Sequence, residues 1–318
     1  MFLASFKITL AGVGQIFLLG TIGYLLRKRN ILSAEGLNSL SRLVIDVTLP
    51  LMIFYQLLKN FSFSLYPRWW IFPLLSILIT ILGLGLGSLF LWFIKGERER
   101  LQFLSLVTFQ NSGYLPLALI AALLPADKAG PMFVYLFLFL AGFNLVMFSL
   151  GVKIISFYRN LKFELTSLFS PPVIATILGL VSVYLGLNNF LPQVLLKPLG
   201  LVGDCTLPLA MFVVGASLAE IRLVRIDKKE MFLLFLAKLI ILPAIGLLLL
   251  IKLKLPETVG LLIVMELAMP PATLLSVISR HYKEEDLLIS QGIFLSHLVS
   301  IVTIPVFLSL YFMLSVVK

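Results

Sequence analysis

Apolar runs of about 20 residues recur along the whole 318-residue chain, each ended by a short charged cluster. A run of that length crosses the hydrocarbon core of a bilayer. The chain is therefore expected to be an all-α polytopic membrane protein. Composition agrees: 60% of residues are hydrophobic, 13% are charged and the mean hydropathy is +1.08, outside the range of soluble domains. A net charge of +10 suggests nucleic acid, but the basic residues sit in short clusters between spans, as cytoplasmic loops do. The lone Cys205 allows no intramolecular disulfide, and two His give no Cys/His metal spacing. No metal and no cofactor are expected. The first apolar run is followed by Arg27, Lys28 and Arg29 rather than by a small-residue cleavage site, which argues against a signal peptide.

The charged breaks delimit ten spans, near 6–26, 34–58, 69–94, 101–125, 130–152, 168–187, 194–219, 231–251, 256–279 and 287–313. A short interfacial helix is expected within 156–169. Loops on one side hold fifteen Lys and Arg against eight on the other. The richer side is expected to be cytoplasmic. Both termini then lie on the non-cytoplasmic face of a plasma (bacterial inner) membrane.

Two stretches resemble each other: Asp46-Val-Thr-Leu-Pro-Leu-Met-Ile-Phe54 and Asp204-Cys-Thr-Leu-Pro-Leu-Ala-Met-Phe212, 158 residues apart. One lies in span 2 and the other in span 7, so each half carries five spans. An odd number sends the second half into the membrane from the opposite side, the inverted repeat of secondary transporters. The repeat also relates two interruptions. Span 4 contains Asn111, Ser112, Gly113 and Pro116; span 9 contains Glu266, Pro270 and Pro271. A shift of 155 superposes Pro116 on Pro271 and Asn111 on Glu266, both near mid-span. Pro lacks the N–H that would close a helical turn and clashes with the carbonyl four residues back. A break in lipid survives only where protein or water receives it. Two broken helices crossing there would present half-helix N-termini, which suit an anion. Two ordinary Pro kinks are the plain alternative.

"NSGYLPLAL" in span 4, "AMPPATLLSVISRHYKEEDLLISQGIFLSHLVSIVTIPVFL" in spans 9 and 10, and the paired "TLPL" spans resemble the auxin efflux carrier family. That family includes bacterial carriers labelled as malonate or organic-acid transporters and the plant auxin exporters. The long central loop of many plant members is absent. The resemblance implies a fold shared with bile acid:sodium symporters. Residues 1–60 and 168–222 would form a scaffold domain, the dimer-forming part; residues 66–152 and 230–318 would form a transport domain. The latter would move as an elevator and carry a small organic anion.

Polar side chains at depth are the site candidates, because buried charges there are costly and are usually functional or paired. Asn111 precedes the first break, and the family places an Asn at this crossover against substrate; an interhelical hydrogen bond is the plainer role. Ser112, Tyr114 and Pro116 share its stretch, and Pro270 and Pro271 occupy the partner break. Asn144 in span 5 and His297 in span 10 sit at roughly equivalent repeat positions. The family supports Asn144 as a substrate ligand. His297 either couples protons or is a neutral, hydrogen-bonded ring. Thr48 and Thr206 are expected to face the substrate from the scaffold, with Asp46 and Asp204 as supporting groups or as partners of neighbouring helix ends. Gln15 lies near the centre of span 1. Lys238 and Glu266 are expected to form an ion pair behind the crossover, the ammonium standing where a coupling cation would. Transport then needs no sodium. The alternative is a bridge that only fixes the fold. The charged loops read as solvated topology signals, and no phosphate-binding Gly-rich loop points to an ATP-driven pump. Neither a filter pattern nor a nucleophile–base spacing appears, which favours a carrier over an anion channel or an enzyme. Sodium or proton symport of another amphipathic solute is the remaining alternative.

Overall fold

The computed structural model describes residues 2–155, 157, 169–221, 223–224, 226–253, 255–281 and 287–316. The expected interfacial helix, and several loop charges such as Arg159, Arg222, Arg225 and Lys283, lie outside them. The described residues are helical, with no strand. In chain order the helices are α1 (Phe2–Lys28), α2 (Ala34–Arg42), α3 (Leu49–Asn60), α4 (Ile71–Phe90), α5 (Glu97–Thr108), α6 (Tyr114–Leu123), α7 (Ala126–Val146) and α8 (Val152–Ile155). After these come α9 (Pro171–Tyr184), α10 (Gln193–Asp204), α11 (Thr206–Ala219), α12 (Lys228–Leu234), α13 (Leu242–Leu253), α14 (Glu257–Ala268), α15 (Leu274–His281) and α16 (Leu287–Val316).

Seven stretches among the described residues are long and apolar enough to cross a membrane: Phe2–Lys28, Ala34–Asn60, Ile71–Phe93, Ala126–Ile155, Gln193–Ala219, Lys228–Leu253 and Leu287–Ser315. The other three expected spans differ. Residues 168–187 give the shorter helix α9, and 101–125 and 256–279 are each split in two.

Local sequence explains many of the boundaries. Ser33 caps α2 by accepting from the Gly36 N–H at 3.0 Å, and Asp227 caps α12 by accepting from Lys229 and Glu230. Pro50 and Pro243 cannot donate to the carbonyls of Asp46 and Leu239, and wide π-helical turns, Leu43–Thr48 and Phe235–Ile241, lie there. One turn holds Asp46 and the other Lys238. Pro208 likewise cannot donate to Asp204, where α10 ends and the chain turns at Cys205 into α11.

Helix α1 lies along α11, and α3 lies against α9 and α10. Helix α4 packs on α7 and α5, and α14 packs on α13 and α16. The α1–α11 approach is close enough that a Cβ on Gly215 would run into the Gly20 carbonyl. Small residues of this kind let membrane helices approach backbone to backbone. Leu115–Ile120 of α6 and Gly260–Ala268 of α14 are buried all round. The broken helices are thus shielded by protein, while α1, α9 and α10 turn large apolar side chains outward.

Candidate functional site

Helix α5 stops at Thr108 and α6 starts at Tyr114; α14 stops at Ala268 and α15 starts at Leu274. The two extended breaks meet in an isolated antiparallel bridge, Gln110 opposite Pro271. The Asn111 N–H donates to the Pro270 carbonyl at 2.9 Å, and the Ala272 N–H donates to the Phe109 carbonyl at 2.9 Å. Groups that would be orphaned in lipid satisfy one another. Pro116 acts from within α6. It sits in the first turn, where a missing N–H costs nothing, and it denies a donor to the Ser112 carbonyl. No side chain caps α6 at Gly113.

The register differs from the expected one. The two bonds of the crossover map onto each other with a shift of 161, which carries Phe109 onto Pro270, Gln110 onto Pro271 and Asn111 onto Ala272. Asn111 therefore does not correspond to Glu266. Aligning Pro with Pro misleads because each acts on a carbonyl upstream, at a different distance from its break.

Beside the crossover lies a cavity of about 200 Å³. Asn111, Ser112, Tyr114 and Asn144 line it together. Its opposite wall comes from Asn38, Ser41 and Ile45 near α2, Ser170 and Pro172 at the start of α9, and Val213 and Ser217 of α11. Leu140, Phe143 and Phe148 add an apolar side, and no charged residue among the described ones lines the cavity. Behind Asn111 stands His297, which is fully buried. Its Nε2 is 3.5 Å from Asn111 Nδ2, and its Nδ1 is 2.8 Å from the Ile293 carbonyl.

Paired helix breaks beside an uncharged, largely apolar cavity, inside a bundle of apolar helices, are a pattern that membrane carriers use, and comparison with known proteins agrees. The sequence profile of the membrane transport protein family, auxin efflux carrier type, matches twice, over residues 9–163 and 153–308. The chain belongs to this family. It is 28% identical over 219 residues to an uncharacterized transporter of Methanocaldococcus jannaschii, covering 64% of this chain and 67% of the relative. It is 25% identical over 169 residues to an uncharacterized transporter of Saccharomyces cerevisiae, covering 50% of this chain and 29% of the relative. The match thus spans about two thirds of the archaeal protein and under a third of the yeast one.

Not every candidate residue of this family member reaches the cavity. Pro270 and Pro271 contribute backbone to the crossover instead. Thr48 and Thr206 are buried away from the cavity, their hydroxyls unpaired among the described residues. Asp46 and Asp204 are exposed and do not line it, although Asp46 is an electrostatic neighbour of Tyr114. Gln15 is also exposed and outside it.

The expected Lys238–Glu266 contact is replaced by a different arrangement. The Lys238 ammonium, 1% exposed, donates to the Val107 carbonyl at 2.9 Å, and no direct salt bridge joins it to Glu266. Val107 is in the last turn of α5, whose carbonyls carry the negative end of the helix dipole. The ammonium caps the cut helix. Glu266 is its electrostatic neighbour and faces Gln110 and Ser112. Both Glu266 oxygens, Gln110 Nε2 and Ser112 Oγ stop short of hydrogen bonds.

Sequence reasoning missed the opposing wall. Asn38, Ser41 and Ile45 recur at helical spacing, and an amide and a hydroxyl on one stripe of an apolar span are a readable signal. Gln110 and Thr273, which also line the cavity, lie within the breaks and needed the correct register to be seen.

Proposed function

We propose that the chain is a secondary transporter of a small organic anion, a carboxylate such as malonate or an auxin-like acid, working by elevator-type alternating access. The observation that carries this is the pairing of the two breaks beside a cavity with no charged lining among the described residues. The anion is held by neutral donors. Uncapped N–H groups at the start of α6 carry the positive end of the helix dipole. The side chains of Asn111, Ser112, Tyr114 and Asn144 surround it. Neutral donors touch the carboxylate itself, so no direct buried ion pair has to be broken on release.

In this reading the chain crosses the membrane ten times as two inverted five-helix halves, the split helices and α9 supplying the three crossings beyond the seven long ones. Helices α1–α3 and α9–α11 form the scaffold, and α4–α8 and α12–α16 move against it. Helix α1 packs on α11 and α3 on α9 and α10 within the scaffold, and α1 packs on α16 and α6 across the boundary where the two parts would slide. The cavity is walled by the middle and end of α2, the start of α9, the end of α11 and α15, beside the crossover itself. The start of α9 and the ends of α11 and α15 are joined to the Lys/Arg-rich loops, so the conformation faces the cytoplasm. The scaffold pairs two copies in the plasma membrane, both termini face outward, and the protein catalyses no covalent chemistry.

Lys238 takes the place of a coupling cation behind the crossover, as its bond to the cut end of α5 supports. Uptake is therefore expected to be unchanged when sodium is replaced by choline. The test is uptake of radiolabelled malonate and indole-3-acetate into proteoliposomes preloaded with unlabelled acid. Saturable, trans-stimulated uptake is expected. Flux that rises linearly with concentration and ignores the internal acid indicates a channel, and loss of uptake without sodium removes the role given to Lys238.

A further inference from the structure

We propose that His297 is the positioning residue for Asn111 and that, through it, one proton enters the site with each carboxylate. The second half rests on the organic-acid reading above. The starting point is an unambiguous tautomer. His297 Nδ1 lies 2.8 Å from the Ile293 carbonyl, which only accepts, so Nδ1 carries the hydrogen. In a neutral ring Nε2 is then a lone pair. It faces Asn111 Nδ2 at 3.5 Å, an atom that only donates. A neutral His297 therefore draws the amide NH2 toward itself and leaves the carbonyl Oδ1 for the cavity that Asn111 lines.

That orientation repels a carboxylate. The favourable one is the reverse: NH2 toward the anion, Oδ1 toward the ring. Oδ1 cannot face a lone pair, so the reversal requires a hydrogen on Nε2. A hydronium ion or a protonated buffer molecule gives up the proton, its bond to hydrogen breaking as the Nε2–H bond forms and its conjugate base staying in solution, and the site gains one positive charge as the anion brings one negative charge. The turned amide keeps a partner, because Oδ1 then accepts from the protonated Nε2 in place of the Nδ2 contact at 3.5 Å. Anion and proton then strengthen each other's binding, as linkage requires.

The elements packed on α16 carry other charges. Lys7, Arg27 and Lys28 of α1, Glu97, Arg98, Glu99 and Arg100 of α5, and Lys228, Lys229 and Glu230 of α12 lie toward helix ends. So do Lys252 of α13, Glu257 of α14, and Arg280 and His281 of α15. Lys238 and Glu266 are the two buried ones. Lys238 is held by Val107 and Glu266 faces Gln110 and Ser112, leaving the His297 ring to Ile293 and Asn111.

Nitrogen NMR of [15N]histidine protein in nanodiscs, with His281→Gln to leave one ring, reads the tautomer without any ligand. The expected result at pH 7 is Nδ1 protonated and Nε2 bare, with the Nε2 signal moving in Asn111→Ala. A protonated Nε2 in the neutral ring, or an Nε2 signal unmoved by Asn111→Ala, overturns the positioning role. Calorimetry with indole-3-acetate and malonate in buffers of different ionisation enthalpy reads the proton. Wild type is expected to take up one proton per acid and to bind about tenfold more weakly for each pH unit upward. His297→Gln, whose amide can turn without gaining charge, is expected to bind with no pH dependence. No proton uptake by wild type, or the same pH slope in His297→Gln, overturns the coupling. If neither acid binds, the organic-acid reading and its coupling fall together, and the nitrogen shifts decide the role of His297 alone.

Discussion

The two breaks of the crossover share a backbone device and divide the chemistry. Each interrupts a helix for five residues, and each satisfies the other through two N–H···O bonds. Yet the first break, Phe109–Gly113, brings the polar side chains of Gln110, Asn111 and Ser112 to the cavity, while the second brings Ala272 and Thr273 and sets Pro270 and Pro271 in the backbone pairing. The charged support is divided as well: Lys238 closes the cut end of α5, and Glu266, in the last turn of α14, faces Gln110 and Ser112 across the junction. Related geometry in the two halves does not mean related roles. In the proposed transport cycle the first break carries more of the recognition and the second more of the bracing.

The sharpest way to break this comparison is to remove the cation from the brace. Lys238→Met leaves Glu266 buried without its neighbour and the Val107 carbonyl without a donor, and is expected to cost about 3–5 kcal/mol. Adding Glu266→Gln should recover much of that, as read by thermal unfolding in detergent. A double mutant no more stable than Lys238→Met would mean that the two groups are not coupled. Next in size is the recognition side. Asn111→Ala removes a hydrogen bond to a charged ligand and should lower kcat/KM about 10- to 100-fold, while leaving thermal stability nearly unchanged. A stability loss matching Lys238→Met would place Asn111 in the brace instead. The smallest effect compares the prolines. Pro271→Ala adds a buried N–H with no acceptor within the bridge and should cost about 1–3 kcal/mol. Pro116→Ala offers a donor to the Ser112 carbonyl and should stay within about 1 kcal/mol. Equal costs would erase the distinction.

The existence of the breaks was legible in the sequence, because Asn, Ser, Gly and Pro set together in an apolar run rarely leave a helix intact. Their register was not. Pro116 and Pro271 look equivalent, but one acts from inside a helix and the other from the extended strand-like segment. The apparent match of Asn111 with Glu266 followed from that error. The charged residues were correctly marked as conspicuous, but their partner was not visible. A carbonyl at a cut helix end has no sequence signature, and that is what Lys238 binds. The pairing of His297 with Asn111 joins residues 186 apart and appears only once α16 is packed against α5.

The central claim is that the cavity beside the first break holds the transported acid. It is tested most directly by substrate protection. In a Cys205→Ser background, Thr273→Cys places a thiol on the cavity wall, and its labelling by a membrane-permeant maleimide is timed with and without acid. An acid showing trans-stimulated uptake is expected to slow labelling in proportion to its occupancy, whereas a non-transported acid is not. Labelling at the same rate with and without saturating transported acid would place the binding site elsewhere.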